Sequence, residues 1–122
     1  MNKHILLVDD EPHVTRVLRM TLEREGYLVT CASDGGEALE KMAARRPDVM
    51  VSDIQMAGMD GRELCRTTRA RYPDESFLIM VMTSMTAASE REWVRELANI
   101  EFLEKPLSPR QLVARLAAHF TQ

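Results

Sequence analysis

The chain has 122 residues, of which 45% are hydrophobic and 29% are charged, and its formal net charge is -3. This length and composition predict one soluble globular domain, residues 1–122, with a sizeable core. The acidic balance and the lack of a long apolar run argue against direct nucleic-acid binding and against a membrane span. No signal-peptide layout precedes the first apolar segment, and Cys31 and Cys65 match no metal or redox spacing, so we expect free thiols and a cytoplasmic location.

The first half of the chain alternates short apolar runs with segments of helical periodicity. His4–Val8 predicts a buried strand, because it is a continuous aliphatic run that ends in acidic residues. Pro12 suits the first turn of the helix that follows, and Gly26 suits its end. The apolar stripe predicted for this helix consists of Val14, Val17, Leu18, Thr21 and Leu22. Residues 27–31 predict a second strand, and the acids at 34–37 predict the start of a second helix.

The central apolar run, residues 48–53, ends in a single carboxylate, that of Asp53. Val49 to Val51 lack polar alternation, which is typical of a strand buried on both faces in a parallel sheet. In open α/β sheets the functional crevice lies beyond the carboxyl ends of the strands, where this Asp would stand. Taken alone, a carboxylate in that place is as often a turn or helix cap as a functional group.

The second half of the chain continues the same alternation. A third helix is predicted to end near Tyr72, and the fully apolar residues 77–82 predict a fourth strand. A fourth helix is predicted somewhere within residues 86–97, and residues 100–103 read as a short fifth strand. Ser108 then begins the last helix, because a Pro and a Gln follow it at the spacing of a capping box.

Five β/α units in succession predict an α/β fold. Strands that alternate with helices pair in parallel through right-handed crossovers, which gives a doubly wound (βα)5 sheet of flavodoxin-like order 2-1-3-4-5. In that topology the ends of strands one, three, four and five share one rim. The polar residues predicted to meet there are Asp9, Asp10, Asp53, Thr83 and Lys105.

Each of these polar residues alone has an ordinary structural explanation, but the group suggests chemistry. Clustered carboxylates repel one another unless a cation lies among them. Oxygen ligands without Cys or His suit Mg²⁺ better than zinc. A divalent ion beside the Lys105 ammonium would neutralise a phosphoryl group in transfer, and Asp53 could then form an acyl phosphate as the nucleophile.

The whole chain resembles the receiver domain of two-component response regulators. The matching pieces, in order along the chain, are residues 7–11, residues 51–54, residues 59–61, Thr83 and residues 102–106. Any one of these pieces is a weak signal, but all of them in the correct order and spacing are specific. The resemblance implies a signalling switch rather than a free-standing metabolic enzyme, although the domain would help to catalyse its own phosphorylation and dephosphorylation.

The resemblance also implies a role for each residue of the rim. Asp53 would accept a phosphoryl group from a sensor histidine kinase or a histidine phosphotransfer protein. Asp10, Asp53 and the backbone carbonyl of Gln55 would bind Mg²⁺ directly, and Asp9 would bind it through water. Lys105 would contact a phosphoryl oxygen.

Thr83 and Phe102 are expected, on the same resemblance, to be the switch residues. The Thr83 hydroxyl would bond the phosphoryl group, and the aromatic ring would move inward. The change would reshape the surface of the fourth helix, fifth strand and fifth helix, which would control an output domain or downstream protein and is also where a homodimer would form.

Two other functions compete with this hypothesis. The first is a receiver-like interaction module that is never phosphorylated, which the intact acidic cluster and Lys105 argue against. The second is an aspartate-nucleophile phosphatase of the haloacid-dehalogenase type. Such enzymes place a second Asp two residues after the nucleophile as a general acid, whereas this chain has Gln55 there.

Overall fold

Five parallel strands form one sheet in the order β2-β1-β3-β4-β5, which confirms the predicted topology. The structure, a computed structural model, describes residues 2–56, 58–73, 77–83, 99–105 and 107–121. The strands are β1 (His4–Val8), β2 (Leu28–Ala32), β3 (Val49–Asp53), β4 (Leu78–Thr83) and β5 (Ile100–Glu104). The described helices are α1 (Pro12–Arg24), α2 (Gly35–Ala44), α3 (Gly61–Arg71) and the final helix (Pro109–Phe120). The helix predicted within residues 86–97 lies outside the described residues.

The sheet carries a hydrophobic core on each face, so the fold is doubly wound as predicted. Successive side chains of a strand point to opposite faces, and in β3 they supply both cores. Met50 packs with the residues of α2 and α3, whereas Val49 and Val51 pack with those of α1 and the final helix. All three are completely buried, which explains why the run has no polar alternation.

Two of the predicted helix starts, those of α2 and the final helix, are confirmed by their caps. Asp34 caps α2, because its side chain accepts a hydrogen bond from the backbone N–H of Glu37. The final helix begins with a complete capping box between Ser108 and Gln111. Gly26 follows α1 at φ +94°, a conformation that other residues rarely adopt, so the helix ends where the sequence predicts.

Strands β4 and β5 extend past their predicted carboxyl ends, whereas β1 and β3 end where predicted. β4 includes Thr83 and β5 includes Glu104, each one residue beyond the predicted end. These two residues pair across the sheet, and the backbone N–H of Lys105 donates to the Thr83 carbonyl at 2.9 Å. Pairing with a neighbour therefore extends both strands past their apolar residues.

At the amino edge of the sheet, polar side chains, one of them the buried Arg69, are matched to backbone groups. The backbone N–H of His4 donates to the Asp48 carboxylate at 2.7 Å, and the N–H of Asp48 donates back to the His4 carbonyl at 2.7 Å. Arg69 of α3 donates to the carbonyl oxygens of Phe77 at 2.6 Å and Asn99 at 3.1 Å. These contacts connect the start of β1 to the residue before β3, and α3 to the residues just before β4 and β5.

Within the described residues, no helix has the length and hydropathy needed to cross a bilayer. Both cysteines are free, as predicted. Cys65 is fully buried in α3, and this burial raises the pKa of its thiol to about 12.

Candidate functional site

Three carboxylates meet at the carboxyl edge of the sheet, as the topology predicts. Asp9 directly follows β1 and Asp53 ends β3, and these two strands pair side by side up to Val8 and Ser52. Asp10 supplies the third carboxylate, and one oxygen from each group lies within 4.8 Å of the others. Asp9 and Asp53 are buried, whereas Asp10 is exposed, so the cluster opens to solvent on one side.

The Asp53 carboxylate is held from two sides. Its Oδ2 accepts a hydrogen bond from Lys105 Nζ at 2.8 Å, and its Oδ1 accepts one from the backbone N–H of Gln55 at 3.2 Å. The Asp53 side chain is only 4% exposed, whereas that of Lys105 is 32% exposed. The Asp53 carboxylate therefore has a fixed orientation, and the Lys105 ammonium lies at the boundary between the core and the solvent.

The Asp9 carboxylate is buried beside a second carboxylate, that of Asp53. Burial raises the pKa of Asp9, and the negative charge of Asp53 raises it further. The backbone N–H of Glu11, which donates to Asp9 Oδ1 at 2.9 Å, and the Lys105 ammonium lower that pKa but do not cancel the increase. Among the residues that the structure describes, the ammonium of Lys105 thus faces three carboxylates.

This donor set fits a Mg²⁺ ion. All its side-chain donors are carboxylate oxygens, which are the ligands that Mg²⁺ prefers, and one side remains open for water or substrate oxygens. A divalent cation would also favour the ionised form of Asp9, which burial disfavours.

Lys105 reaches Asp53 because its backbone is tied to the neighbouring strand. The bond from its N–H to the Thr83 carbonyl fixes the chain just after β5, and from there the side chain reaches Asp53. Thr83 is 4% exposed at the end of β4, so the structure brings it to the same rim as the acidic cluster.

Phe102 lies away from the carboxylates, on the outer strand β5. It pairs in register with Val81 and packs against the same core cluster, while remaining partly exposed. Because alternate residues of a strand share a face, Thr83 lies on the same face of β4 as Val81, two residues closer to the rim. The two predicted switch residues therefore occupy neighbouring strands on one face of the sheet.

Sequence reasoning missed an apolar groove that extends from Asp9 and Lys105 along α1. Its volume is about 550 Å³, and its lining residues are Asp9, Glu11, His13, Val14, Val17, Leu18, Met82, Lys105, Leu107 and Pro109. Val17 was expected in the buried stripe of α1 but is 51% exposed. The stripe that reaches the core is narrower, with Leu18 and Leu22 as its buried members, because α1 covers the sheet only along that line.

Comparison with known proteins identifies the family. The response regulator receiver domain model matches residues 5–117. The alkaline phosphatase synthesis transcriptional regulatory protein PhoP of Bacillus subtilis is 39% identical over 118 residues, which cover 97% of this chain and 48% of that protein. The chain belongs to the response regulator receiver domain family. Receiver domains are signalling domains of two-component systems rather than metabolic enzymes.

Solved receiver structures share the whole fold of this receiver domain. Chemotaxis protein CheY4 of Vibrio cholerae is 30% identical with a TM-score of 0.89, covering 97% of this chain and 98% of that one. A CheY-like receiver domain protein from Methanospirillum hungatei is 26% identical with a TM-score of 0.87, covering 98% and 94%. By contrast, the chain spans about half the length of the PhoP relative.

Proposed function

We propose that this receiver domain is a phosphorylation-dependent switch whose acceptor is Asp53. The observation that carries the proposal is the geometry of that carboxylate. It is buried, bonded to Lys105 at 2.8 Å and within 4.8 Å of two further carboxylates. A structural ion pair would need one acid and one base, whereas a phosphoryl-transfer site needs the extra acids for a metal ion.

The transfer step follows from the groups at the site. An oxygen of the Asp53 carboxylate attacks phosphorus of a phosphohistidine, the phosphorus–nitrogen bond breaks, and its electron pair stays on the imidazole nitrogen. The product is an acyl phosphate on Asp53 and a histidine that regains a proton from solvent. Lys105, which neutralises Asp53 before transfer, would then pair with a phosphoryl oxygen.

Asp10, Asp53 and the backbone carbonyl of Gln55 would hold Mg²⁺, with Asp9 bound through water. The ion would neutralise the charge that builds up on the phosphoryl oxygens. Before the ion binds, the backbone N–H of Glu11 keeps the Asp9 carboxylate turned towards the cluster.

Phosphorylation would be read out through Thr83 and Phe102. The Thr83 hydroxyl would donate to a phosphoryl oxygen and pull the end of β4 towards Asp53. The Phe102 ring, which is only partly buried, would follow on the same face of the sheet. The surface altered in this way includes β5 and the final helix, and it would contact an output domain, a downstream protein or a second copy of the chain. The fourth helix expected on the same surface lies outside the described residues.

The proposed phosphodonor is a sensor histidine kinase or a histidine phosphotransfer protein in the cytoplasm. A donor protein that reaches Asp53 must also cover the apolar groove beside it, where the exposed Val17 supplies contact area. We further propose that residues 1–122 form a single receiver domain. An output of the transcriptional class is supported by the name of the Bacillus relative, of which this chain covers 48%.

The direct test is phosphorylation by a small-molecule donor. The folded protein is incubated with acetyl phosphate, with Mg²⁺ or with EDTA, and the modified residue is located by mass spectrometry. We expect one phosphoryl group on Asp53, with Mg²⁺ only. A folded, Mg²⁺-bound protein that takes no label from acetyl phosphate or from a kinase would overturn the proposal and favour an unphosphorylated interaction module.

A further inference from the structure

Helix α3 begins in direct contact with the backbone of the acceptor strand. The N–H of Gly61 donates to the Ile54 carbonyl at 2.8 Å. A Cβ atom at Gly61 would lie 2.4 Å from the Asp53 carbonyl oxygen and 2.6 Å from Ile54 Cα. Both atoms belong to the backbone, so neither can rotate away as the end of a side chain could. Only a hydrogen atom fits between the helix and this peptide.

The peptide that Gly61 touches cannot move without moving the site. Ile54 is 3% exposed in the core, and its N–H donates to the Met82 carbonyl of β4 at 3.2 Å. The next N–H, that of Gln55, donates to Asp53 Oδ1 at 3.2 Å. A shift of the Asp53–Ile54 peptide would therefore displace the acceptor carboxylate and the Gln55 backbone together.

We propose that Gly61 is a positioning residue for the metal and phosphoacceptor site. Its missing side chain lets α3 start against the Asp53–Ile54 peptide, and this contact sets where Asp53 and the Gln55 carbonyl stand relative to Asp9 and Asp10. The inference rests on the proposed function. Reactive groups must be held within about 0.5 Å of their working positions, and relief of a 2.4 Å contact requires a larger shift than that.

The test compares Gly61→Ala with Gly36→Ala, a matched change in α2. At Gly36 the nearest atom to a new Cβ is Asp34 Oδ1 at 3.4 Å, an ordinary contact. We expect Gly61→Ala to raise the Mg²⁺ Kd at least fivefold by calorimetric titration and to slow labelling by acetyl phosphate at saturating Mg²⁺ at least tenfold. Gly36→Ala should change both quantities less than twofold.

A core variant separates positioning from a general loss of stability. Leu116→Ala removes a fully buried side chain of the final helix, on the opposite face of the sheet from Ile54. It should lower the Tm but leave the Mg²⁺ Kd of the folded protein within twofold of the wild type. An equal increase of the Kd in Leu116→Ala and Gly61→Ala would overturn the inference.

A second pair of variants applies if Gly61→Ala does not fold. The Asp60 side chain caps α3 by accepting from the Glu63 N–H at 3.0 Å. Asp60→Ala loses this cap and Asp60→Asn keeps it, while both lose the same charge. We expect Asp60→Ala to raise the Mg²⁺ Kd two- to threefold above that of Asp60→Asn. Equal Kd values in the two variants would count against a positioning role for the start of α3.

The outcomes for this inference and for the proposed function are distinct. If the wild type is labelled on Asp53 and Gly61→Ala retains its labelling rate and Mg²⁺ Kd within twofold, the positioning role is wrong and the switch remains. If the folded wild type is never labelled, the switch is wrong, and the Mg²⁺ titrations still decide the role of Gly61.

Discussion

The two edges of the sheet place charged side chains in opposite kinds of surroundings. At the amino edge, the Asp48 carboxylate accepts from a backbone N–H and Arg69 donates to two backbone carbonyls. At the carboxyl edge, Asp9, Asp10 and Asp53 face one another with Lys105 paired to one of them. The first arrangement matches charges to the dipoles of the chain, whereas the second leaves an excess of negative charge.

On the proposed function, this difference separates groups that hold the fold from groups that bind a ligand. A charge matched to backbone dipoles already has its partners, so its removal should lower stability and little else. An unbalanced cluster lowers the stability of the free protein, and a bound cation recovers it. Equivalent substitutions at the two edges should therefore change different measured quantities.

The largest expected effect is the loss of labelling in Asp53→Asn, because the amide cannot act as the nucleophile. We expect the rate with acetyl phosphate and Mg²⁺ to fall more than 100-fold. Asp48→Asn makes the same change at the amino edge, where the amide oxygen can still accept from the N–H of His4. It should keep the wild-type rate within twofold. Labelling of a residue other than Asp53 in the first variant would contradict the assignment.

At the amino edge, Arg69→Met should mainly reduce stability. The change leaves the Phe77 and Asn99 carbonyls without the guanidinium donor and removes its stacking over the Phe77 ring. We expect the free energy of unfolding in urea to fall by about 2–3 kcal/mol. The exposed Arg66→Met on the same helix is the control and should cost less than about 0.5 kcal/mol. A large rise in the Mg²⁺ Kd of folded Arg69→Met would contradict the expectation that a residue at the amino edge affects stability alone.

At the carboxyl edge, Asp10→Asn should weaken Mg²⁺ binding about tenfold, equivalent to about 1.4 kcal/mol, because it removes a charged ligand. Glu11→Gln makes the same change of charge one residue later, on an exposed side chain that pairs with His13 at 3.4 Å. It should raise the Kd less than threefold. If both variants weaken Mg²⁺ equally, long-range charge rather than coordination explains the affinity.

The smallest effect concerns Asp9 and pH. Because burial raises the pKa of Asp9, the native state binds the proton of this carboxyl more tightly than the unfolded chain does. Its contribution to stability is therefore fully present below the pKa of the unfolded carboxyl and is lost as the pH rises through the folded pKa. In EDTA at pH 7, Asp9→Asn should unfold at higher urea concentration and be more stable than the wild type by about 1 kcal/mol.

Two conditions sharpen the Asp9 prediction. At about pH 4 the difference should shrink, since the wild-type carboxyl regains its proton, and saturating Mg²⁺ should reverse the order by stabilising the wild type more. Asp34→Asn is the control, since it changes an exposed helix cap to another good one. An Asp9→Asn protein less stable than the wild type in EDTA at pH 7 would show that burial does not dominate at this carboxylate.

The sequence predicted features that depend on local pattern and topology. The apolar runs of β1 and β3, the caps at Asp34 and Ser108, and the strand order all follow from periodicity and crossover rules. The convergence of Asp9, Asp53 and Lys105 followed from that order, since residues after parallel strands share one edge.

Features that depend on distant partners could not be predicted in this way. Val17 fits the helical stripe, and only the path of α1 over the sheet leaves it exposed. Asn99 has φ +59°, in a segment where its carbonyl also accepts from Arg69. The contact between Gly61 and the Asp53 backbone has no sequence signal beyond the glycine itself.

The hydrogen bond between the Lys105 N–H and the Thr83 carbonyl has a consequence for signalling. It connects the residue that follows β5 to the end of β4. Neither segment can therefore move towards Asp53 alone without breaking a 2.9 Å hydrogen bond. We therefore expect both segments to move together, and partly phosphorylated samples to contain two discrete conformers rather than a continuum of intermediates.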